Sequence, residues 1–296
     1  MERLYTDELD MRYFVRSAIG SRAPESNKGD YGKLLALCGS TRYRGAALMV
    51  AEAALRAGAG IVCLASVEEV LRAAVVRTPE CVCLPMSANP QGSIAKENSP
   101  AILAALQCHT ACLCGCGMTD STDTLSLVEA LLTRAEVPLV LDADALNVLR
   151  GRTDLLKSAK KLPVITPHPG EMSRLTGMQI SDITANADRT ALCFAQTFHC
   201  VTVLKGHSTR VASPDGRLYV NRTGNPGLAR GGSGDVLAGM IGAFAARGIP
   251  SWEAAVCGVY LHGLAADRCA NRISQNGMLP TDILRDLCTI FLEFGL

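Results

Sequence analysis

No stretch of the 296 residues approaches 18 uninterrupted apolar positions, so no segment reads as a membrane-spanning helix. There is no Lys/Arg-rich block, and the formal net charge is only +1. Both argue against nucleic acid or an acidic membrane as partner and point to small molecules. The start, Met1-Glu2-Arg3-Leu4-Tyr5-Thr6-Asp7-Glu8, lacks the basic-then-apolar order of a secretory leader, so the expected compartment is the cytoplasm. Internal repeats and Pro/Ser-rich linkers are also missing, and a single domain over residues 1–296 is expected. Cysteine is abundant at thirteen, but the number is odd and the residues lie within apolar segments. A secreted disulfide framework is therefore excluded, and most of these thiols should be reduced and buried. The group Cys108, Cys112, Cys114 and Cys116 lacks CxxC spacing and a second ligand pair, so no metal site built from protein groups alone is expected. Period 2 in Ala111-Cys112-Leu113-Cys114-Gly115 puts two cysteines on one strand face as small hydrophobes.

What is present is a chain 48% apolar and 19% charged, the composition of a globular core. Short apolar, β-rich runs recur at 33–38, 60–65, 81–84, 111–115, 138–142, 162–166 and 200–205. Helix-compatible stretches such as 46–57, 121–133 and 184–198 lie between most of them. This alternation predicts βαβ units, hence an α/β fold with a mainly parallel central sheet and helices on both faces. Pro214-Asp215-Gly216, flanked by Arg210-Val211-Ala212-Ser213 and Arg217-Leu218-Tyr219-Val220, adds a hairpin. Beyond it the pattern is helical over 251–271 and 281–294.

The run from Asn221 to Asp235 packs five glycines ahead of an apolar helical pattern that begins at Val236 and stops at Gly248. Gly231, Gly232 and Gly234 let backbone amides approach an anion at a helix N-terminus, where the dipole favours phosphate. Asp235 then sits at the rim as a base, or serves only as a first-turn helix carboxylate. Other polar groups fall at strand ends, where open α/β sheets bind ligands. Asp142, Asp144 and Asn147 could hold magnesium through water or orient a substrate, and Asp144 alone could be a cap. Thr166-Pro167-His168-Pro169-Gly170-Glu171 confines His168 in a proline-stiffened loop. Lys205, Gly206, His207, Ser208 and Thr209 combine a cation with hydrogen-bonding side chains suited to a nucleotide. Gly39-Ser40-Thr41-Arg42-Tyr43-Arg44-Gly45-Ala46-Ala47 opens another helix. All should converge on one crevice.

Together these motifs, with Lys28-Gly29-Asp30-Tyr31-Gly32-Lys33 ahead of them, make the chain resemble the ribokinase-like NAD(P)H-hydrate dehydratases, from about Lys28 to about Ala270. The resemblance implies a ribokinase-like three-layer fold and dehydration of the S epimer of NADHX or NADPHX, driven by ADP or ATP. Asp235 would be the general base, and the amides of Gly232, Ser233 and Gly234 would stabilise the transferring phosphoryl group. Lys205 to Thr209 and Gly234 would contact the nucleotide. Ala46 or Ala47, Gly117, His168 and Asp235 would contact the hydrated dinucleotide. Mg2+ is expected on phosphate oxygens, with Asp142, Asp144, Asn147 and Glu171 as candidates to hold or orient it. The chain departs from the family at Gly115-Cys116-Gly117-Met118-Thr119, where relatives usually carry Gly-Pro-Gly-Leu-Gly. The resemblance further implies a homo-oligomer, often a tetramer, ADP as donor, and a functional link to a separate epimerase, since the few dozen residues before Lys28 cannot house an epimerase domain. A small-alcohol kinase on the same fold and a nucleotide-sensing protein without turnover are the competing readings.

Overall fold

The computed structural model describes residues 8–296; the leader-free start expected over 1–7 lies outside them. Nine strands form one sheet: β1 (Lys33–Leu37), β2 (Ile61–Val67), β3 (Val82–Met86), β4 (Ala111–Cys114), β5 (Leu139–Leu141), β6 (Val164–Ile165), β7 (Val201–Leu204), β8 (Arg210–Ala212) and β9 (Leu218–Val220). Their order is β3-β2-β1-β4-β5-β6-β7-β8-β9. Every pair up to β7 is parallel, and the β7-β8 and β8-β9 pairs are antiparallel. Continuous burial along β1, β4, β5 and β7 reflects helices on both faces, as a parallel sheet requires. The predicted hairpin is present; Gly216, at φ 93°, makes its turn and the Asp215 carboxylate accepts the Arg217 amide at 3.1 Å.

The helices, in chain order, are α1 (Glu8–Ile19), α2 (Arg44–Arg56), α3 (Glu68–Arg77), α4 (Ser99–Leu106), α5 (Thr122–Arg134), α6 (Asp144–Asn147), α7 (Pro169–Thr176), α8 (Ile180–Ala185), α9 (Ala187–Phe198), α10 (Ser233–Ala246), α11 (Ser251–Ile273) and α12 (Ile283–Phe294). The helix α10 is apolar nearly all round because it is walled in by β1, β4 and β5 below and by α2 and α11 beside it. Sequence patterning did not announce α1. It docks on α11, with Phe14 set edge-on to Trp252 at 6.2 Å between ring centroids.

All thirteen cysteines are free, and eight are buried, Cys112 and Cys114 among them as apolar filling of β4. No helix among the described residues is long and apolar enough to cross a membrane.

Strand order reverses between β1 and β4, which opens a crevice beyond their carboxyl ends. Loops on the two sides are stitched together there by the Gly39 N–H, which donates to the Cys116 carbonyl at 2.8 Å. The ends of β5, β6 and β7, carrying Asp142, Thr166 and Lys205, continue that rim toward α10.

Candidate active site

The α10 helix begins at Ser233, three residues before the expected Val236, so Ser233, Gly234 and Asp235 form its first turn. The first turn of a helix lacks intrahelical amide partners. Here Val236 is the first to close the ladder, onto the Gly232 carbonyl at 3.1 Å, and Gly232 takes φ 99° to start the turn. Of the three amides proposed to face a phosphoryl group, that of Ser233 already donates to the Arg230 carbonyl at 3.3 Å. Those of Gly232 and Gly234 carry the expectation more directly.

Beside this turn lies a cavity of about 700 Å³, well within the range of small-molecule sites. Its lining includes Asp142, His168, Lys205, Gly206, His207, Thr209, Gly232, Ser233, Gly234 and Asp235. The ends of β5, β6 and β7 thus converge with the first turn of α10 on one cavity, whereas the 39–47 loop, Gly117, Asp144, Asn147 and Glu171 are not among its lining. Ser208 is absent from the lining; its carbonyl is taken by the Arg210 guanidinium. The opposite wall is the strap from Asn221 to Gly231, and the floor includes Leu237, Val259, His262 and Gly263. Val259, His262 and Gly263 went unnoticed in the sequence, since on a buried helix nothing separates them from core residues. Burial pushes His262 down to about 4, so it is a neutral imidazole in contact with the Ser233 main chain.

The electrostatic centre is Asp142, only 2% exposed. Its Oδ1 accepts from Lys205 Nζ at 2.7 Å and from Thr166 Oγ1 at 2.7 Å. Gly234 leaves room for this pair, since a Cβ there would lie 3.2 Å from Lys205 Nζ. Asp235 is raised to about 6, first by burial and next by the charge of Asp142. Cys116 Sγ reaches Asp142 Oδ2 at 3.7 Å, and the ligand atoms of Cys116, Asp142 and Asp235 all lie within 4.8 Å of one another. Magnesium prefers oxygen and takes one or two carboxylates together with phosphates, so Asp142 Oδ2 is the fitting donor and the thiol is not.

The structure places the other magnesium candidates elsewhere. Asp144 accepts the Thr119 amide at 2.8 Å and the Asn147 side-chain amide at 3.1 Å, and Asn147 Oδ1 accepts from Arg174 Nε at 2.8 Å. These groups brace the Gly115–Thr119 turn and α7, and none of them lines the cavity. Glu171 is the third residue of α7 and closes a capping box with His168. Its Oε2 accepts the His168 amide at 2.7 Å and lies 3.9 Å from Lys205 Nζ. Burial lifts Glu171 to about 7 against the pull of Lys205.

His168, a residue able to donate or accept near neutral pH, has one ring nitrogen, Nδ1, engaged in its own helix cap. Nδ1 accepts from the amides of Gly170 at 2.9 Å and Glu171 at 3.3 Å, and Nε2 lies 3.5 Å from Glu171 Oε1. An accepting Nδ1 puts the proton of the neutral ring on Nε2. Burial, followed by Lys205, holds His168 below its usual range. What it offers a ligand is the half-exposed face of a fixed ring.

On the far side of Cys116, the turn Gly115–Thr119 packs on the start of α2. Gly117 adopts φ 67°, and a Cβ there would fall 2.8 Å from Tyr43 Cβ and 3.0 Å from Ala46 Cβ. Without the family's proline the turn is held by hydrogen bonds: Gly39 to Cys116, Ser93 Oγ to the Met118 carbonyl, and Thr124 Oγ1 to the Thr119 carbonyl at 2.8 Å. Ala47 is wholly buried, so its side chain cannot meet a ligand, whereas Ala46 keeps a partly exposed edge. Replacing Gly117 by Ala should raise KM for a ligand on this shelf, because the strained φ costs about 1–2 kcal/mol and the methyl must displace Tyr43. Unchanged KM, measured under nucleotide saturation, would remove the turn from the site.

A nine-stranded, mainly parallel sheet, with a glycine-rich helix start and its carboxylate set over the strand ends, defines a ribokinase-like α/β protein. The chain belongs to the NAD(P)H-hydrate dehydratase family, whose profile matches residues 34–289. It is 40% identical over 261 residues to the ADP-dependent (S)-NAD(P)H-hydrate dehydratase of Xanthomonas campestris, covering 88% of each. It is 39% identical over 271 residues to the bifunctional NAD(P)H-hydrate repair enzyme Nnr of Moorella thermoacetica, covering 92% of this chain and 51% of that protein. The chain thus spans about half the length of that relative. The crystal structure of the ADP/ATP-dependent NAD(P)H-hydrate dehydratase of Bacillus subtilis, co-crystallized with ATP/Mg2+, superposes with a TM-score of 0.82 at 31% identity, covering 96% of this chain and 97% of that one.

Proposed function

We propose that this protein dehydrates the S epimer of hydrated NADH or NADPH at the expense of ADP, giving the reduced dinucleotide, AMP and orthophosphate. The observation that carries the reading is Asp235, a carboxylate raised to about 6 in the first turn of α10, beside the Lys205–Asp142 pair. Hydroxide leaves the hydrated ring poorly. Asp235 takes the proton of the ring hydroxyl, whose oxygen then attacks the terminal phosphorus of ADP and displaces AMP. The phosphate ester is a good leaving group: its C–O bond breaks, and the adjacent ring carbon gives up a proton to the departing phosphate or to solvent. The electrons of that C–H bond form the returning double bond, and orthophosphate departs.

Each neighbouring group has a part in this account. The amides of Gly232 and Gly234 lie where negative charge grows on the transferring group. Lys205, with Gly206, His207 and Thr209, holds the nucleotide's phosphates and ribose. His168 and the Gly117–Ala46 shelf hold the dinucleotide. Asp142 Oδ2 is the protein oxygen available to a Mg2+ on the phosphates, which would neutralise their charge.

The base works only as a carboxylate, so kcat/KM should fall as pH drops through about 6, while ADP affinity holds or tightens as negative charge is lost. A flat kcat/KM across that region would remove Asp235 from the base role. The functional reading is tested by supplying hydrated NADH, Mg2+ and either ADP or ATP and following regenerated NADH. Nucleotide-dependent recovery, faster with ADP, supports it. No recovery, together with phosphorylation of an added small alcohol, would replace it with the kinase reading.

A further inference from the structure

The cavity wall formed by the strap before Gly231 has little secondary structure of its own, and its position is set by α11. The Asp267 carboxylate on α11 takes the Gly224 N–H on Oδ2 at 2.8 Å and the Asn225 side-chain amide on Oδ1 at 3.0 Å. Asn225 Oδ1 in turn accepts the Gly227 N–H at 2.9 Å and caps the short 3-10 turn Pro226–Leu228. Two turns back on α11, the Tyr260 carbonyl accepts from Thr223 Oγ1 at 3.0 Å. Gly263 lets the strap come close, for a Cβ there would fall 2.3 Å from Thr223 Oγ1. Thr223, Gly224, Asn225 and Leu228 line the cavity, whereas Asp267 does not.

We propose that Asp267 is a positioning residue for the nucleotide: by gripping Gly224 and Asn225 it fixes the wall against which the nucleotide docks. A carboxylate is suited to this because it accepts two N–H groups at once, and hydrogen bonds to a charged group are the stronger kind. The inference rests on the reading of the cavity as a nucleotide site. Its sign is informative, since deleting a negative charge near an anion site would by itself tighten binding. Weaker binding therefore isolates the grip on the strap.

The test is calorimetric titration of ADP into the wild type, Asp267→Ala, Asp267→Asn and Gly263→Ala, with steady-state kinetics beside it. Asp267→Ala should weaken ADP about tenfold or more, the scale of a lost hydrogen bond to a charged group. Asp267→Asn should fall between, because the amide keeps one accepting oxygen. Gly263→Ala, which pushes Thr223 off α11 without touching Asp267, should weaken ADP as well. In the two Asp267 variants, kcat at saturating ADP and KM for the hydrated dinucleotide should stay at wild-type values; a merely structural role would lower kcat and raise KM together. If Asp267→Ala does not fold, the other two variants decide. Wild-type ADP affinity in Asp267→Asn and Gly263→Ala would overturn the inference. A wild-type protein that takes up no ADP would overturn the nucleotide reading and this inference with it.

Discussion

Asp235→Asn is expected to cut kcat by at least about a hundredfold, the usual scale for loss of a general base, while ADP still binds. The substitution keeps the shape of the first turn of α10 and removes only the ability to take a proton. Asp235 is coupled mainly to Asp142 and Cys116, and its charge opposes that of a bound phosphate, so nucleotide affinity should hold or improve slightly. The pairing of lost turnover with retained binding is the signature. A variant that turns over at near wild-type rate would show that the hydroxyl proton leaves by another route. One that loses both would place Asp235 in binding.

The second large effect is at Lys205. Its ammonium is the cation facing both Asp142 at 2.7 Å and Glu171 at 3.9 Å, and Asp142 is nearly inaccessible. Lys205→Ala strands that carboxylate in a poorly solvated place, which should cost about 3 kcal/mol of folding stability. It should also weaken ADP at least about tenfold by removing a charge-assisted contact to phosphate. The two losses separate in a double variant. Adding Asp142→Asn removes the stranded charge, so urea unfolding should recover most of the stability while ADP binding stays weak. A single variant as stable as the wild type would mean that Thr166 alone satisfies Asp142.

Much of this was legible in the sequence because parallel strands buried on both faces read as plain apolar runs, and because loops beyond their carboxyl ends must carry the polar groups. Lys205 and Asp142 could be placed in one crevice on that ground, and Asp235 joined them through the glycine-rich helix start. The start of α10 was misplaced by three residues because Ser233, Gly234 and Asp235 look like turn chemistry until the glycine at 232 is known to take φ 99°. The roles of Asp144, Asn147 and Glu171 were less legible for a different reason. A carboxylate that binds a cation and one that braces a neighbouring turn are the same residue in a sequence; only the Thr119, Asn147 and His168 contacts tell them apart. His168 is similar: its confinement by prolines was visible, but the capping geometry that ties up Nδ1 was not. Asp267 gave no signal at all, because its partners lie more than forty positions away in the chain.

The account stands or falls on whether the ring hydroxyl is phosphorylated before it leaves. Hydrated NADH carrying 18O in that hydroxyl, turned over with unlabelled ADP and Mg2+, decides this by mass spectrometry of the released orthophosphate. Attack by the hydroxyl oxygen on phosphorus followed by C–O cleavage predicts one 18O atom in each orthophosphate formed. Label found in water instead, with unlabelled phosphate, would contradict it.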